Sequence, residues 1–314
     1  MSSEGVPPRL GFIGLGIMGH PMAGHLAKAG FSMTVFDTSS AAIDRLRDVH
    51  PDVVAAGSPA DVGAAADVVL TMLPDGECVQ QVATGVDGLV ETMAAGSLLL
   101  DTSSAQPWLT LATAAALAER GVDMIDAPVS GAQWGAEQAN LVFMVGGSPE
   151  GVARVRPILD LLGRAVFHCG PLGSGHIMKS INNTITAMTF LATAEGLALG
   201  KRAGLDPAAM NEVLNESTGG SWITLNHIPQ RILSRTFDDP FRLELMLKDV
   251  KIAAELARQL GVSLPFSAHC ESVYEQAHHY AGTGKSLSEL VRWVEHDSGA
   301  GEITPGGADS QHHI

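Results

Sequence analysis

A glycine-rich turn between a short apolar strand and a helix is the feature that most constrains the fold. The strand, residues 10–13, runs into Gly14-x-Gly16-x-x-Gly19, and a helix of small residues follows as far as Gly30. In such a turn the first glycine permits a tight bend, the second lets a phosphate approach the backbone, and the third lets helix and strand pack closely. The N–H groups at the helix start then attract negative charge. The turn therefore predicts a dinucleotide pyrophosphate site at Gly14, Leu15, Gly16, Ile17, Met18 and Gly19.

An acidic residue follows the second predicted strand, residues 33–36, and bears on the choice of cofactor. Asp37 lies 18 residues after Gly19. A carboxylate at this place can accept hydrogen bonds from both ribose hydroxyls of NAD and repel the 2′-phosphate of NADP. Asp37 could instead cap the next helix, near Ser39 and Ser40. The complete strand–turn–helix–strand unit favours the first interpretation, so NAD is the predicted cofactor.

The pattern along the chain predicts two domains of different class. Eight β-rich runs alternate with Ala-rich helices before Gly170: residues 10–13, 33–36, 53–55, 68–72, 98–101, 122–126, 141–145 and 165–168. Such alternation is typical of an α/β fold with a doubly wound, mostly parallel sheet. Helical patterns predominate afterwards. We therefore predict a Rossmann-type NAD-binding domain at 1–172, an all-helical substrate and oligomerisation domain at 173–297, and a disordered tail at 298–314.

Charge and composition exclude several classes of partner. The formal net charge of −15 argues against nucleic acid and anionic membrane surfaces. No apolar stretch reaches a convincing membrane span, and residues 1–8 lack the apolar core of a signal peptide. The three cysteines are widely separated, and no metal-ligand spacing is present. We therefore expect a cytoplasmic protein with reduced thiols and no bound metal.

A lysine lies in the first turns of a long apolar helix. Residues 177–199 carry small and aliphatic side chains on every face, which predicts a buried helix. Residues four apart on a helix share a face, so Lys179 and Asn183 point the same way. A buried lysine is costly to keep charged unless it has a function or a partner. Lys179 could also extend its ammonium group to water from a buried stem.

The predicted strand ends favour a functional lysine. Ligands in open parallel sheets bind outside the carboxyl ends of the strands. Four predicted strands are followed there by loop residues that can face a ligand: Gly14, Leu73-Pro74, Ser103-Ser104 and Pro128-Val129-Ser130-Gly131. These residues should face one crevice, which the start of the Lys179 helix can close.

Four segments match, in order and separation, a known enzyme family. They are residues 11–19, residues 126–131, Gly173-x-Gly175 with Lys179 and Asn183, and the segment from Phe241 to Lys248-Asp249. The chain resembles the β-hydroxyacid dehydrogenases, the family of 3-hydroxyisobutyrate dehydrogenase and tartronate semialdehyde reductase, from Leu10 to about Trp293. The resemblance implies NAD-dependent interconversion of a short 3-hydroxy acid and its semialdehyde or ketone, by a homodimer or homotetramer.

Three alternatives stay open at this point. Tartronate semialdehyde reduction is the same chemistry on a different substrate. An imine reductase shares the fold, but those enzymes generally lack a lysine at the position of Lys179. A noncatalytic binding protein on this scaffold need not retain Lys179 and Asn183, because fold does not imply chemistry.

The resemblance also implies roles for individual residues. Lys179 matches the catalytic lysine, and Asn183 matches the asparagine that orients the substrate beside it. The loop that holds the substrate carboxylate matches Ser130, Gly131 and Ala132. Cofactor-contacting positions match Leu73, Pro74, Cys78 and Ser104, and Lys248 matches a lysine at the nicotinamide end. On sequence grounds alone, Lys248 and Asp249 also fit a solvated helix pair.

Two departures from the family pattern affect the expected substrate site. Ala132 stands where a second glycine is usual, and Gln133-Trp134 follows it. Ala139-Asn140 stands where a glycine and a threonine are usual. Ala132 keeps its backbone N–H, so carboxylate binding stays possible. A methyl group and an indole can still reshape the pocket, which leaves the identity of the hydroxy acid open.

Overall fold

One mixed β-sheet is the framework of the first part of the computed structural model, which describes residues 7–306. Nine strands within those residues form it: β1 (Leu10–Ile13), β2 (Met33–Phe36), β3 (Val54–Ala55), β4 (Val68–Thr71), β5 (Leu98–Asp101), β6 (Asp123–Asp126), β7 (Val129–Ser130), β8 (Leu141–Gly146) and β9 (Gly163–Gly170). Their order is β3-β2-β1-β4-β5-β6-β8-β7, with β9 paired to β8. Strands β1 to β6 are parallel, whereas β8 runs antiparallel to β6 and β7. The predicted doubly wound, mostly parallel sheet is confirmed.

Helices cover both faces of this sheet. They are α1 (Gly19–Lys28), α2 (Ser40–Val49), α3 (Pro59–Ala65), α4 (Gly76–Thr84), α5 (Pro107–Ala118), α6 (Ala132–Glu137) and α7 (Pro149–Asp160). Successive residues of a strand point to opposite faces. Leu70 and Leu100 accordingly belong to one buried apolar cluster, and Val69 and Leu99 belong to another. The central strands are therefore buried on both sides, which explains their continuous apolar sequences.

Helices build the rest of the chain, which divides into two units between Lys179 and Ser180. Helix α8 (Ser174–Arg202) crosses the division. It is followed by α9 (Pro207–Asn215), a π-helical segment (Ile223–Leu233), α10 (Leu243–Leu260), α11 (Pro265–Ala281) and α12 (Glu289–Asp297). The buried Tyr274 hydroxyl donates a hydrogen bond of 3.1 Å to the Ala187 carbonyl, which links α11 to α8. The helical class of this region is confirmed, while the limits at 1–172 and 173–297 stay a prediction.

The chain beyond α12 is packed as far as the structure describes it. Ala300 and Ile303 are buried in the core of the helical unit. The Ile303 N–H donates a hydrogen bond of 2.7 Å to Glu295 Oε1, and the Gly306 N–H donates one of 3.0 Å to Asp206 Oδ1. Residues 298–306 thus differ from the disordered tail expected at 298–314, because two apolar side chains in a polar stretch suffice to anchor it. Residues 307–314 lie outside the described residues.

The helices of the described chain include no candidate for a membrane span. Between residues 7 and 306, no helix combines the length and the apolar composition that crossing a bilayer requires.

Candidate functional site

Each glycine in the turn between β1 and α1 is needed for a different physical reason. Gly14 has a φ of +97°, which disfavours any residue with a Cβ. At Gly19 a Cβ would overlap the Gly14 carbonyl oxygen, so this glycine permits close packing. At Gly16 a Cβ would meet no atom of the chain within 4 Å. Crowding therefore does not explain Gly16, but close approach of a phosphate to the backbone does, so the turn fits a dinucleotide.

Asp37 links this turn to the start of α2. Its Oδ2 accepts a hydrogen bond of 2.6 Å from the Leu15 N–H, and its Oδ1 accepts one of 2.8 Å from the Ser39 N–H. The second contact supports the helix-capping interpretation, since Ser39 is the N-cap residue of α2, while the ribose interpretation stays a prediction. Each carboxylate oxygen has a second lone pair. Asp37 therefore remains able to accept hydrogen bonds from ribose hydroxyls.

A cavity of about 410 Å³ adjoins the glycine turn. Its lining comes from the turn, α1, α2 and α6: Leu15, Gly16, Ile17, His20, Pro21, Arg45, Gln133 and Glu137. The volume lies in the range of small-molecule sites. Sequence reasoning missed Arg45, which brings a guanidinium to a cavity wall shared with Gly16. The indication in the sequence was a basic residue about two helical turns after Asp37, within the same predicted βα unit.

The loops after β4 and β5 are tied together at the carboxyl edge of the sheet. The Leu73 N–H donates a hydrogen bond of 2.9 Å to Ser103 Oγ, and the Ser103 N–H donates one of 3.0 Å to Asp101 Oδ1. Asp75 caps α4 by accepting a hydrogen bond of 2.8 Å from the Cys78 N–H. A Cβ on Gly14 would lie 3.0 Å from the Leu73 side chain. The structure thus brings the predicted residues of three strand ends together.

The predicted carboxylate loop lies between β7 and α6 and carries backbone strain. Gly131 has a φ of +134°, and Ala132 follows it with a φ of +52°. Ala139, just after α6, has a φ of +49°. An alanine in the left-handed region costs about 1–2 kcal/mol relative to right-handed backbone. Both departures from the family pattern therefore occupy conformations that favour glycine.

Helix α8 begins against a buried carboxylate that the sequence did not reveal as important. Asp126, at the end of β6, is fully buried. Its Oδ1 accepts a hydrogen bond of 2.7 Å from the Gly173 N–H, and its Oδ2 accepts one of 2.8 Å from the His176 N–H. The carboxylate thereby satisfies backbone donors at the helix start and suits its positive end. Lys179 follows one turn later and is half-buried.

In the second unit, a buried carboxylate orients Asn183. The Asn183 Nδ2 donates a hydrogen bond of 2.5 Å to Asp249 Oδ2, and Asn183 Oδ1 accepts one of 3.0 Å from Asn182. The Lys248 ammonium lies 3.5 Å from Asp249 Oδ1. Asp249 is only 1% exposed. The solvated-pair interpretation of Lys248 and Asp249 is therefore wrong, because a solvated helix pair would be exposed.

Both parts of the chain match known protein families. Residues 9–170 match a family described as the NAD-binding domain of 6-phosphogluconate dehydrogenase. Residues 173–294 match a family described as NAD-binding of NADP-dependent 3-hydroxyisobutyrate dehydrogenase. This chain belongs to the β-hydroxyacid dehydrogenase family.

Individual members of the family align over nearly their whole length. The chain is 37% identical to a 3-hydroxyisobutyrate dehydrogenase of Pseudomonas aeruginosa, over 90% of this chain and 98% of that protein. It is 39% identical to an NAD-dependent L-serine dehydrogenase of the same organism, over 85% of this chain and 91% of that protein. A solved structure of Mycobacterium tuberculosis 3-hydroxyisobutyrate dehydrogenase with L-serine superposes with a TM-score of 0.84 at 29% identity. That superposition covers 92% of this chain and 99% of the other.

These findings confirm three of the sequence predictions. This β-hydroxyacid dehydrogenase is an oxidoreductase of hydroxy acids, and its cofactor is a nicotinamide dinucleotide. The resemblance deduced from the four segments is confirmed with them. The roles of individual site residues stay predictions.

Proposed function

We propose that this enzyme interconverts a short 3-hydroxy acid of the 3-hydroxyisobutyrate class and its semialdehyde, with NAD as the hydride acceptor. One observation carries the proposal: α8 bears Lys179 and, one turn later, an Asn183 whose amide is held by the buried Asp249. A pure binding scaffold needs neither the lysine nor a buried carboxylate that fixes the asparagine. The 37% identity to a named 3-hydroxyisobutyrate dehydrogenase supports the substrate class.

Lys179 accepts and donates the proton in the proposed reaction. When bound, NAD⁺ supplies the acceptor for the hydride that leaves the hydroxyl-bearing carbon. Lys179, in its neutral amine form, accepts the hydroxyl proton during oxidation, and its ammonium form returns a proton to the oxygen during reduction.

Asn183 supplies a directed hydrogen bond. Because the Asp249 carboxylate can only accept, the amide nitrogen of Asn183 must face it. The contact to Asp249 thereby fixes the plane and orientation of the Asn183 amide. Asn183 orders the substrate without competing for the proton. We further propose that Ser130, with the backbone N–H groups of Gly131 and Ala132, holds the substrate carboxylate.

A second candidate substrate is L-serine, itself a short 3-hydroxy acid with an amino group on C2. It is favoured by the 39% identity to an NAD-dependent L-serine dehydrogenase and by the superposition on a related structure solved with L-serine. Glycerate, the product of tartronate semialdehyde reduction, remains the alternative from the sequence.

A substrate panel tests the proposed function. Purified enzyme with NAD⁺ would be offered 3-hydroxyisobutyrate, L-serine, glycerate and lactate, and NADH formation would be followed by absorbance. We expect the highest kcat/KM with 3-hydroxyisobutyrate and negligible turnover of lactate, a 2-hydroxy acid that serves as the control. NADH formation with none of the 3-hydroxy acids, or equally fast with lactate, would refute the proposal.

Cofactor preference is the first specific prediction. Asp37 faces the glycine turn through the Leu15 N–H, so a 2′-phosphate on the ribose would meet a carboxylate. We predict that kcat/KM with NAD⁺ exceeds that with NADP⁺ by at least about tenfold, and that Asp37→Asn reduces the ratio. Arg45→Ala is measured beside it, because Arg45 brings a guanidinium to the lining of the cavity that adjoins the turn. If NADP⁺ serves equally well until Arg45 is removed, Arg45 governs the preference instead.

We also propose that the enzyme works in the cytoplasm as a homodimer or homotetramer, without nucleic acid or membrane partners. The three cysteines form no disulfide within the described residues, which suits a reducing compartment. Assembly is supported by an apolar stripe on α8, defined by Ile181, Ile185 and Leu199, which are 42%, 55% and 73% exposed.

A further inference from the structure

A buried imidazole fastens the first turn of α8 to the sheet. His176 is 1% exposed. Its Nε2 lies 3.1 Å from the Ser103 carbonyl oxygen, and its Nδ1 lies 2.8 Å from Thr110 Oγ1. A carbonyl oxygen only accepts, so Nε2 must carry a proton, and the Thr110 hydroxyl bonds the other nitrogen. The ring therefore joins α8 to the loop after β5 and to α5 in one defined orientation.

The same turn is held from the other side by Asp126. Its carboxylate accepts the N–H groups of Gly173 and His176, at 2.7 and 2.8 Å. At Gly175 a Cβ would overlap the Met144 carbonyl oxygen and lie 2.8 Å from Asp126 Oδ2. Helix α8 thus begins in backbone contact with β8 and β6, and no side chain larger than hydrogen fits between.

Two carboxylates flank the imidazole without forming short hydrogen bonds to it. Asp126 Oδ2 lies 3.7 Å from Nδ1, and Asp101 Oδ2 lies 3.6 Å from Nε2. Asp101 Oδ2 is buried and has no hydrogen-bond partner among residues 7–306. Burying an imidazole and two carboxylates costs free energy relative to apolar packing. A hydrogen-bonded polar network, however, holds its members in one geometry. An apolar side chain at position 176 would serve stability more simply.

The hydrogen bonds around His176 lie next to Lys179 on α8, which indicates what the fixed geometry of this turn is for. Lys179 lies three residues after His176, and residues three apart are neighbours on one face of a helix. A lysine side chain is long and flexible, so the point that its amine reaches depends on where the helix begins and how it is rotated. We infer that His176 is a positioning residue for Lys179: its ring, held by Ser103 and Thr110, sets the rotation of the first turns of α8. This inference rests on the proposed role of Lys179 as the proton acceptor.

Substitutions at His176 separate positioning from stability. His176→Leu keeps much of the volume but removes both hydrogen bonds, whereas the amide of His176→Gln can donate to the Ser103 carbonyl and accept from Thr110. We expect kcat to fall at least about tenfold in His176→Leu, as misplaced reacting groups do, while the KM for the hydroxy acid and the Kd for NADH change less than threefold. His176→Gln should recover kcat to within about threefold of the parent. The deuterium isotope effect on kcat, with substrate deuterated at the reacting carbon, should rise in His176→Leu only.

Ser97→Ala is the matched control for lost stability. Ser97 is 5% exposed, precedes β5 at the edge of the sheet opposite Ser103, and donates its hydroxyl proton to the Ala94 carbonyl. It should lower Tm and leave kcat unchanged. If His176→Leu does not fold, Thr110→Val and Thr110→Ser make the same test, since only the serine keeps the hydroxyl that bonds Nδ1. We then expect a lower kcat in Thr110→Val and a near-parental kcat in Thr110→Ser.

Lys179→Ala, measured in parallel, distinguishes the two possible failures. A large loss of kcat in Lys179→Ala with a parental kcat in folded His176→Leu, or in Thr110→Val, overturns the positioning inference alone. Equal losses in His176→Leu and His176→Gln also overturn it, because hydrogen bonding would then not matter. Retained turnover in Lys179→Ala overturns the proposed role of the lysine, and the positioning inference with it.

Discussion

At the scale of single residues, burial sets the protonation state of His227 in the helical unit. The His227 ring packs against Phe190 with 4.7 Å between ring centroids, and its Nε2 lies 3.0 Å from Ser288 Oγ. Burial, aided by the charge of Arg231, lowers the pKa of His227 from 6.5 to about 4. Asp239 Oδ2 lies 3.3 Å from Nδ1, but burial raises the pKa of that carboxyl. Near neutral pH, His227 is therefore a neutral imidazole rather than half of a strong ion pair.

The His227 pKa predicts how stability depends on pH. Between about pH 6.5 and pH 4 the unfolded chain binds a proton at His227 that the native state does not, so the free energy of unfolding falls as pH falls. The loss amounts to roughly 3 kcal/mol below pH 4, and Asp239 offsets part of it because its raised pKa acts in the opposite sense. Urea unfolding of the parent and His227→Gln at pH 7, 5.5 and 4.5 checks this. The variant should lose less stability on acidification, and identical losses would contradict the account.

Residues of the site differ in how visible they are to sequence reasoning. The glycine turn, Asp37, Lys179 and Asn183 could be found because their spacing along the chain is itself the signal. Asp126 and His176 act on partners 47 to 73 residues away, so their importance appears only when the strands are aligned. Even Asp126, which carried part of the resemblance, gave no indication that it holds the start of α8.

At the scale of elements, apolar runs predict the central strands and fail for the short ones. Strands β1, β2 and β5 begin and end where predicted, because each is a short β-rich run; β1 and β5 are buried throughout, whereas β2 alternates buried and half-buried residues. Strand β7 has two residues and shows no periodicity, so it is absent from the predicted strands. The antiparallel direction of β8 was also missed, since it depends on the path of the intervening connection and not on composition.

Backbone strain just after helix α6 leads to a prediction at this scale. Ala139 lies just after α6 with a φ of +49°, so Ala139→Gly should relieve left-handed strain. After the greater entropy of the unfolded glycine is subtracted, we expect a gain of about 0.5 kcal/mol and a Tm higher by about 1–2 °C. Ala115→Gly, in the exposed interior of α5, is the control and should destabilise by about 1 kcal/mol. Calorimetry that gives both variants the same sign would contradict the backbone conformation at Ala139.

At the scale of the whole molecule, exposed apolar surface on α8 predicts assembly. The α8 stripe of Ile181, Ile185 and Leu199 continues along the helix, whose opposite faces are buried in the helical core. Exposed aliphatic residues aligned on one helix indicate an interface, and a second copy of the chain is the proposed partner.

Light scattering tests this assembly. The parent should give at least twice the chain mass of 32.7 kDa at micromolar concentration. Ile185→Glu should reduce that mass by burying a charge in the interface. Val86→Glu is the control, because Val86 is 86% exposed and belongs to the first unit rather than to α8. A parent mass near 33 kDa, or no difference between the two variants, would refute the prediction.

The central claim concerns Lys179, and its replacement by alanine is the most direct measurement. We predict that kcat with the best substrate of the panel falls at least about a hundredfold, the scale of lost general acid–base catalysis. The Kd for NADH, measured by fluorescence, should stay within a few-fold, because we propose that the glycine turn and Asp37 hold the dinucleotide. Lys179→Arg should rescue little, since a guanidinium keeps its proton and cannot act as a base. Near-parental turnover in Lys179→Ala would show that the proton is managed elsewhere and would contradict the proposed function of this lysine.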